Sequence, residues 1–147
     1  MAAKLPVSVL VVVHTPGLEI LLLERASRSG FWQSVTGSLD RIDEPPAEAA
    51  HRELREETGI DAPPGNFERW PLAYTFEIYP QWRDRFAPGT THNTEHVFSV
   101  RVPRRLEVRL SPVEHAASLW LPWGDAAAKC FSWSNRDAIL ILGQRPR

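Results

Sequence analysis

The sequence predicts a mixed α/β layered domain, with strands of a sheet packed against helices. Three observations carry that expectation. Two largely apolar runs, Val7–Val13 and Leu18–Glu24, are joined by a short segment ending in Pro16-Gly17, the pattern of strand, turn, strand. A single well-delimited helix follows over 45–58. Further strand candidates then lead into an apolar C-terminal helix, and sheet plus flanking helices makes a layered fold.

The run Val7–Val13 is rich in β-branched residues, which suits a strand buried on both faces. Phe31–Thr36 is a short strand candidate ending at Gly37, followed by a polar loop over 38–44. In the helix, Pro45 and Pro46 occupy the first turn, where missing N–H groups leave nothing unpaired. Asp43 or Glu44 is placed to cap it, Ala47, Ala50 and Leu54 form an apolar stripe, and Gly59 stops it. Arg69–Tyr79 reads as a long strand with Pro71 at an edge or bulge. A loop over 81–93 follows, then a strand over 95–102, weaker candidates at 106–110 and 118–121, and a helix over 134–142.

The bulk properties narrow the function. The chain has 147 residues, the size of one compact domain, and one unit spanning 1–147 is expected. A formal net charge of −1 gives no electrostatic case for nucleic acid or an anionic membrane. The apolar N-terminal run is about a third of a membrane span, and no secretory pattern precedes it, so a cytoplasmic location is expected. The single cysteine, Cys130, has no triad partner nearby in sequence and reads as a buried or incidental thiol.

The informative stretch runs from Gly37 to Ile60, GSLDRIDEPPAEAAHRELREETGI. Glu53 and Glu57 are four apart and share a helical face, with Glu56 beside them. A bare cluster of this kind is usually a solvated charged face. Its mutual repulsion would instead become a ligand set around a hard divalent cation, which takes carboxylate oxygens together with substrate phosphates and water.

The wider pattern resembles the Nudix box: Gly37, Glu44, Arg52, Glu53, Leu54, Glu56, Glu57, Gly59 and Ile60 all match. Six residues rather than five separate Gly37 from Glu44, so Asp43 stands at the regular distance. The resemblance implies a Nudix-type α/β/α sandwich with a mixed sheet between helices, and metal-dependent pyrophosphate hydrolysis. It implies Glu53 and Glu57 as Mg²⁺ ligands, Glu56 as a further ligand or water-orienting group, and Arg52 as a brace. Mn²⁺ is an alternative ion.

Segments outside the box are similar to the folate-pathway branch of that family: Pro6–Val12, Phe31–Ser38, Phe76–Tyr79, Arg85-x-Ala87-Pro88-Gly89, Asn93-Thr94-Glu95 and Ser132–Arg136. That branch implies 7,8-dihydroneopterin triphosphate as substrate, cut to the monophosphate and pyrophosphate. It implies substrate contacts at Lys4, Arg25, Thr36, Phe76, Glu77, Ile78, Tyr79 and Ser132. It also implies a further metal-binding or base carboxylate at Glu114, making Glu56, Glu57 and Glu114 the catalytic candidates. Trp32, Phe76, Tyr79 and Trp133 are candidates to stack on a flat pterin, and Glu77 to accept hydrogen bonds from its amino edge. His51 and His115 read as structural or solvent-facing. Two alternatives stand beside this reading: a housecleaning hydrolase of nucleoside triphosphates such as dATP, and a non-catalytic nucleotide-binding module. The partner expected is a small triphosphate, with no nucleic acid, membrane or protein partner evident.

Overall fold

In a computed structural model, residues 3–146 are described. Met1, Ala2 and Arg147 of the expected 1–147 unit lie outside the described residues. The strands are β1 (Val7–His14), β2 (Glu19–Arg25), β3 (Trp32–Gln33), β4 (Val35–Ser38), β5 (Phe67–Glu77), β6 (His92–Arg101) and β7 (His115–Pro122). The helices are α1 (Pro46–Thr58), α2 (Trp123–Lys129) and α3 (Trp133–Gln144). The strands form one seven-stranded sheet with the path β3-β2-β1-β6-β5, β4 lying beside β1 and β7 beside β2. The β1–β6 pair is parallel and the other pairs are antiparallel, so the sheet is mixed, as expected.

β1 is the centre of the molecule. Val9, Val11 and Val13 pack with Ala49, Ala50 and Leu54 of α1, while Leu10 and Val12 pack with Ala126, Ala127, Ala138 and Ile139 of α2 and α3. Burial on both faces is why this strand is written as a continuous apolar run rather than as an alternation. The result is helix, sheet, helix in three layers.

Several local expectations change. The segment expected as one strand over 31–36 is two, divided at Ser34: β3 pairs with β2 and β4 with β1. Gly37 therefore lies inside a strand. Ala49, not Ala47, completes the buried stripe of α1. Neither Asp43 nor Glu44 caps that helix; Pro45 occupies the cap without a side-chain bond. Gly59 does end it, at φ 75°, where a side chain would be strained. The segment 106–110 is not a strand. Leu106, Val108 and Leu110 still cover the core on the α1 side, so their alternation reflects packing without a ladder. Pro71 does sit in a bulge, where the β5–β6 register shifts between Arg69 and Ala73.

Helix α2 has no clear mark in the sequence. It is held by α3, where Gly143 lets the Trp123 ring approach so closely that an added Cβ would lie 2.1 Å from it. Gly143→Ala is therefore expected to destabilise the protein by about 1–3 kcal/mol through overpacking, read as a lower urea midpoint with unchanged slope.

Candidate active site

The carboxylates of α1 are positioned by close packing on β4. An added Cβ on Gly37 would lie 2.1 Å from Cδ of Glu53, so only glycine leaves room for that carboxylate against the strand. Arg52 fixes it from the other side. Its Nη1 donates to Glu53 Oε1 at 2.8 Å and to Glu56 Oε2 at 3.3 Å. Its Nε and Nη2 grip both oxygens of Glu44, each at 3.0 Å. Glu44 is 5% exposed and also accepts the Asp40 N–H at 2.8 Å. The Arg52 guanidinium holds the Glu44 carboxyl below the usual carboxylate range. Asp43, by contrast, is exposed and pairs with Arg41. The extra loop residue is thus absorbed ahead of Glu44, and Glu44 is the acid that Arg52 reads.

Glu57 is 1% exposed. Burial pushes its carboxyl well above the usual range, reinforced by the neighbouring Glu53 and by the charge of Glu114. Burial raises Glu53 as well. The two carboxyls are close neighbours that perturb each other's ionisation, an arrangement in which both cannot easily carry charge at once. The nearby Thr36 backbone amide works against that rise, while Glu57 Oε1 is buried without a hydrogen-bond partner.

Glu57, Glu114 and His115 each offer a ligand atom within 4.8 Å of the others. His115 was expected to be structural or solvent-facing; it is 3% exposed, and its Nε2 lies 3.7 Å from Glu57 Oε1. Burial, then the Arg25 charge, lowers its pKa to about 4. It is therefore a neutral imidazole near pH 7, a weak base but able to offer a lone pair to a cation and not an ion pair to Glu57. The β2–β7 ladder delivers it, with Arg25 paired to His115 across a bulge. The Ala26 N–H donates to the Glu114 carbonyl at 2.9 Å and anchors the adjoining turn.

Positive charge gathers on the same side. Lys4 lies within electrostatic reach of Arg85, Arg25, Glu53 and Glu114, and Arg25 of Arg85, Glu57 and Glu114. Lys4 is brought there by a bridge to Phe86 and by its N–H donating to the Arg85 carbonyl at 2.8 Å. Loss of water and these like charges lower the Lys4 pKa.

A model of the NUDIX domain matches residues 4–140. The chain belongs to the Nudix family. It is 41% identical over 139 residues to a dihydroneopterin triphosphate diphosphatase of Escherichia coli (strain K12), covering 92% of this chain and 91% of that protein. A protein of the same name from Haemophilus influenzae is 36% identical over 135 residues, 90% of this chain and 84% of that one. A solved structure of the E. coli dihydroneopterin triphosphate pyrophosphohydrolase superposes with a TM-score of 0.87 at 39% identity, covering 95% of both chains.

The Nudix box is therefore seen here as a braced carboxylate face. Glu53 and Glu57 meet, Glu114 joins Glu57, and Glu56 stays outside that group, tied to Arg52. The residues expected to touch substrate divide into separate neighbourhoods. Lys4, Arg25 and Thr36 border the carboxylates. Tyr79 joins an aromatic cluster with Trp82 and Phe131, over which Arg25 lies 4.6 Å from the Trp82 ring. Phe76 faces the α2–α3 side, as Tyr74 does. Ile78 is buried at 4% exposure, and Glu77 is exposed and paired with Arg83. Ser132 accepts from Asn135 Nδ2 at 3.3 Å and contacts the Ser134 hydroxyl at 3.0 Å. Cys130 is buried and free, as expected, its thiol pushed up to about 12 by burial.

Sequence reasoning missed His115 as a ligand candidate and gave Arg85, which lies in a segment that carries the resemblance, no role. Adjacent Glu114-His115 was the available signal for His115, but helix-type ligand spacing does not describe a loop and strand that converge through a ladder.

Proposed function

We propose that this chain hydrolyses 7,8-dihydroneopterin triphosphate to dihydroneopterin monophosphate and pyrophosphate, with Mg²⁺ as cofactor, in the cytoplasm as part of folate synthesis. The observation that carries the substrate is the 41% identity over 92% of the chain to a protein named for it. The Nudix assignment makes the chemistry pyrophosphohydrolysis. Among the described residues no helix is long and apolar enough to cross a membrane.

The residues fit a divalent cation. Glu57 Oε1 is buried and unpartnered, Glu114 and His115 lie within ligand distance of Glu57, and burial beside Glu53 makes an uncompensated negative charge there costly. Glu53, Glu57 and Glu114 would hold Mg²⁺ or Mn²⁺, with Glu56 as a further ligand or water-orienting group. When bound, the metal polarises a phosphoryl oxygen and lowers the pKa of bound water.

The chain's own groups do the rest. Lys4 and Arg25 bind phosphate oxygens, Arg25 by its planar fork. The Thr36 backbone amide favours the charged form of Glu57. One of Glu56, Glu57 and Glu114 takes the proton of the attacking water as its oxygen bonds to phosphorus and the P–O anhydride bond breaks. Attack at the α or β phosphorus yields the same products. Intact Glu53, Glu56 and Glu57 argue against a module that only binds nucleotide.

The test is kcat/KM with Mg²⁺ on dihydroneopterin triphosphate beside dATP and the other deoxynucleoside triphosphates, scoring pyrophosphate. The pterin is expected to be preferred. Equal or better turnover of dATP would put the housecleaning reading in its place.

A further inference from the structure

The Asn93-Thr94-Glu95 segment has no part in the phosphate chemistry, yet it carries the most unusual polar group outside it. Glu95 lies on β6, 4% exposed, on the sheet face covered by α2 and α3. It stands beside Ser8 in the parallel β1–β6 ladder and opposite Tyr74 in the β5–β6 ladder. Ser134 is a close neighbour of its carboxylate, and its Oε1 has no hydrogen-bond partner. Two more buried atoms, one on the same strand and one at the β3–β4 junction, are in the same condition. Asn93 Nδ2 donates to Ser8 Oγ at 2.8 Å, leaving Asn93 Oδ1 open, and Ser34 Oγ is fully buried and open.

A chain of hydrogen bonds runs from Ser34 to Ser134, the neighbour of Glu95. The Ser34 N–H donates to Asn135 Oδ1 at 2.8 Å, Asn135 reaches Ser132, and Ser132 and Ser134 are 3.0 Å apart. It therefore passes through Ser132, already a candidate substrate contact, while Ser34 is two residues from Thr36 at the carboxylate site. Flat apolar surface flanks it: Phe76 stands opposite Asn93, and Trp133, 49% exposed, meets Tyr74 edge-on at 5.2 Å. Natural proteins rarely leave buried acceptors open without a reason, and a carboxylate kept from water favours neighbouring N–H donors.

We infer that Glu95, supported by Asn93 and Ser34, reads the heterocycle of the substrate by accepting the two adjacent N–H donors of a 2-amino-4-oxo edge. This rests on the pterin reading above, and it moves to Glu95 the role first assigned to Glu77, whose carboxylate is exposed and held by Arg83. A pterin presents that edge as N3–H beside the 2-amino group, and guanine presents the same pair. Adenine sets an acceptor beside its amino group, which faces a carboxylate with lone pair against lone pair. A site built to take two N–H bonds rejects the analogue lacking one of them, because its own buried polar atoms are then left unpaired.

The experiment compares kcat/KM for dihydroneopterin triphosphate, GTP and ATP in the parent protein and in Glu95→Gln. GTP and ATP share sugar and triphosphate, so their ratio isolates the base edge. Glu95→Gln is expected to lower the pterin-to-ATP and GTP-to-ATP ratios at least about tenfold, the scale of a hydrogen bond to a charged group. Its melting temperature should match or exceed the parent's, because a buried carboxylate is replaced by a neutral amide. Fluorescence titration with unphosphorylated neopterin, without metal, should show weaker binding to the variant. Equal losses on all three triphosphates, or unchanged ratios, would overturn the inference and leave Glu95 with a buried water or a purely structural role. If the parent fails to prefer the pterin over deoxynucleotides, the substrate reading fails, while the GTP-to-ATP ratio still decides Glu95.

Discussion

Glu57→Gln is expected to lower kcat at saturating substrate and ordinary Mg²⁺ by about 100-fold or more, the scale for removing one charged group from a preorganised site. Size and hydrogen-bonding reach are nearly kept, so the loss is electrostatic. The variant loses one anionic ligand oxygen beside Glu53 and Glu114, and raising the metal concentration should recover part of the activity. Stability should move the other way. Glu57 is 1% exposed with an unpartnered oxygen, so the metal-free variant should melt at or above the parent temperature, as when other strained active-site groups are relieved. A fully active Glu57→Gln at limiting Mg²⁺ would remove Glu57 from the ligand set. A variant that melts early would mean that the carboxylate serves the fold.

Arg52→Ala has the largest expected effect on stability. Arg52 is the cation hydrogen-bonded to Glu44, which is 5% exposed, and it also donates to Glu53, Glu56 and the Ser38 carbonyl. Breaking a buried ion pair by removing one partner costs about 3–5 kcal/mol. Lysine cannot grip both Glu44 oxygens, so Arg52→Lys should recover little. Arg52→Met with Glu44→Leu removes the stranded charge together with its partner and should restore much of the stability. Activity should stay low in that double variant, because Glu53 has lost its brace. If activity returns with stability, Arg52 acts only through the fold. Thermal melts and kcat/KM on the same preparations decide between the two.

Helix α1 was legible because its boundaries are written in residues with one physical meaning: Pro45 and Pro46 at the start, Gly59 at the left-handed stop. Its carboxylates were legible through their spacing with Gly37 and Arg52. What the sequence hid was mostly pairing. Nothing in Phe31–Thr36 says that the segment changes partner at Ser34, since that depends on where β1 and β2 diverge. The alternation Leu106, Val108, Leu110 misled because a chain can cover a core with every second side chain and make no ladder. Helix α2 was missed because its stability comes from Trp123 against Gly143, a contact between distant positions. Glu95 stood in a segment already singled out, but burial, the property that sets it apart from Glu77, has no local signature.

The division at Ser34 has a consequence for length. One short stretch of chain, tied to β2 at one end and to β1 at the other, presents the Ser34 amide to Asn135 and places Thr36 beside Glu57. The spacing between the two neighbourhoods is therefore set by backbone already committed to two ladders, and no side-chain motion can stretch it. Such a rigid gauge is expected to make turnover depend on the length of the tether joining ring to phosphates, read as kcat/KM across triphosphates that carry one ring on tethers of different length.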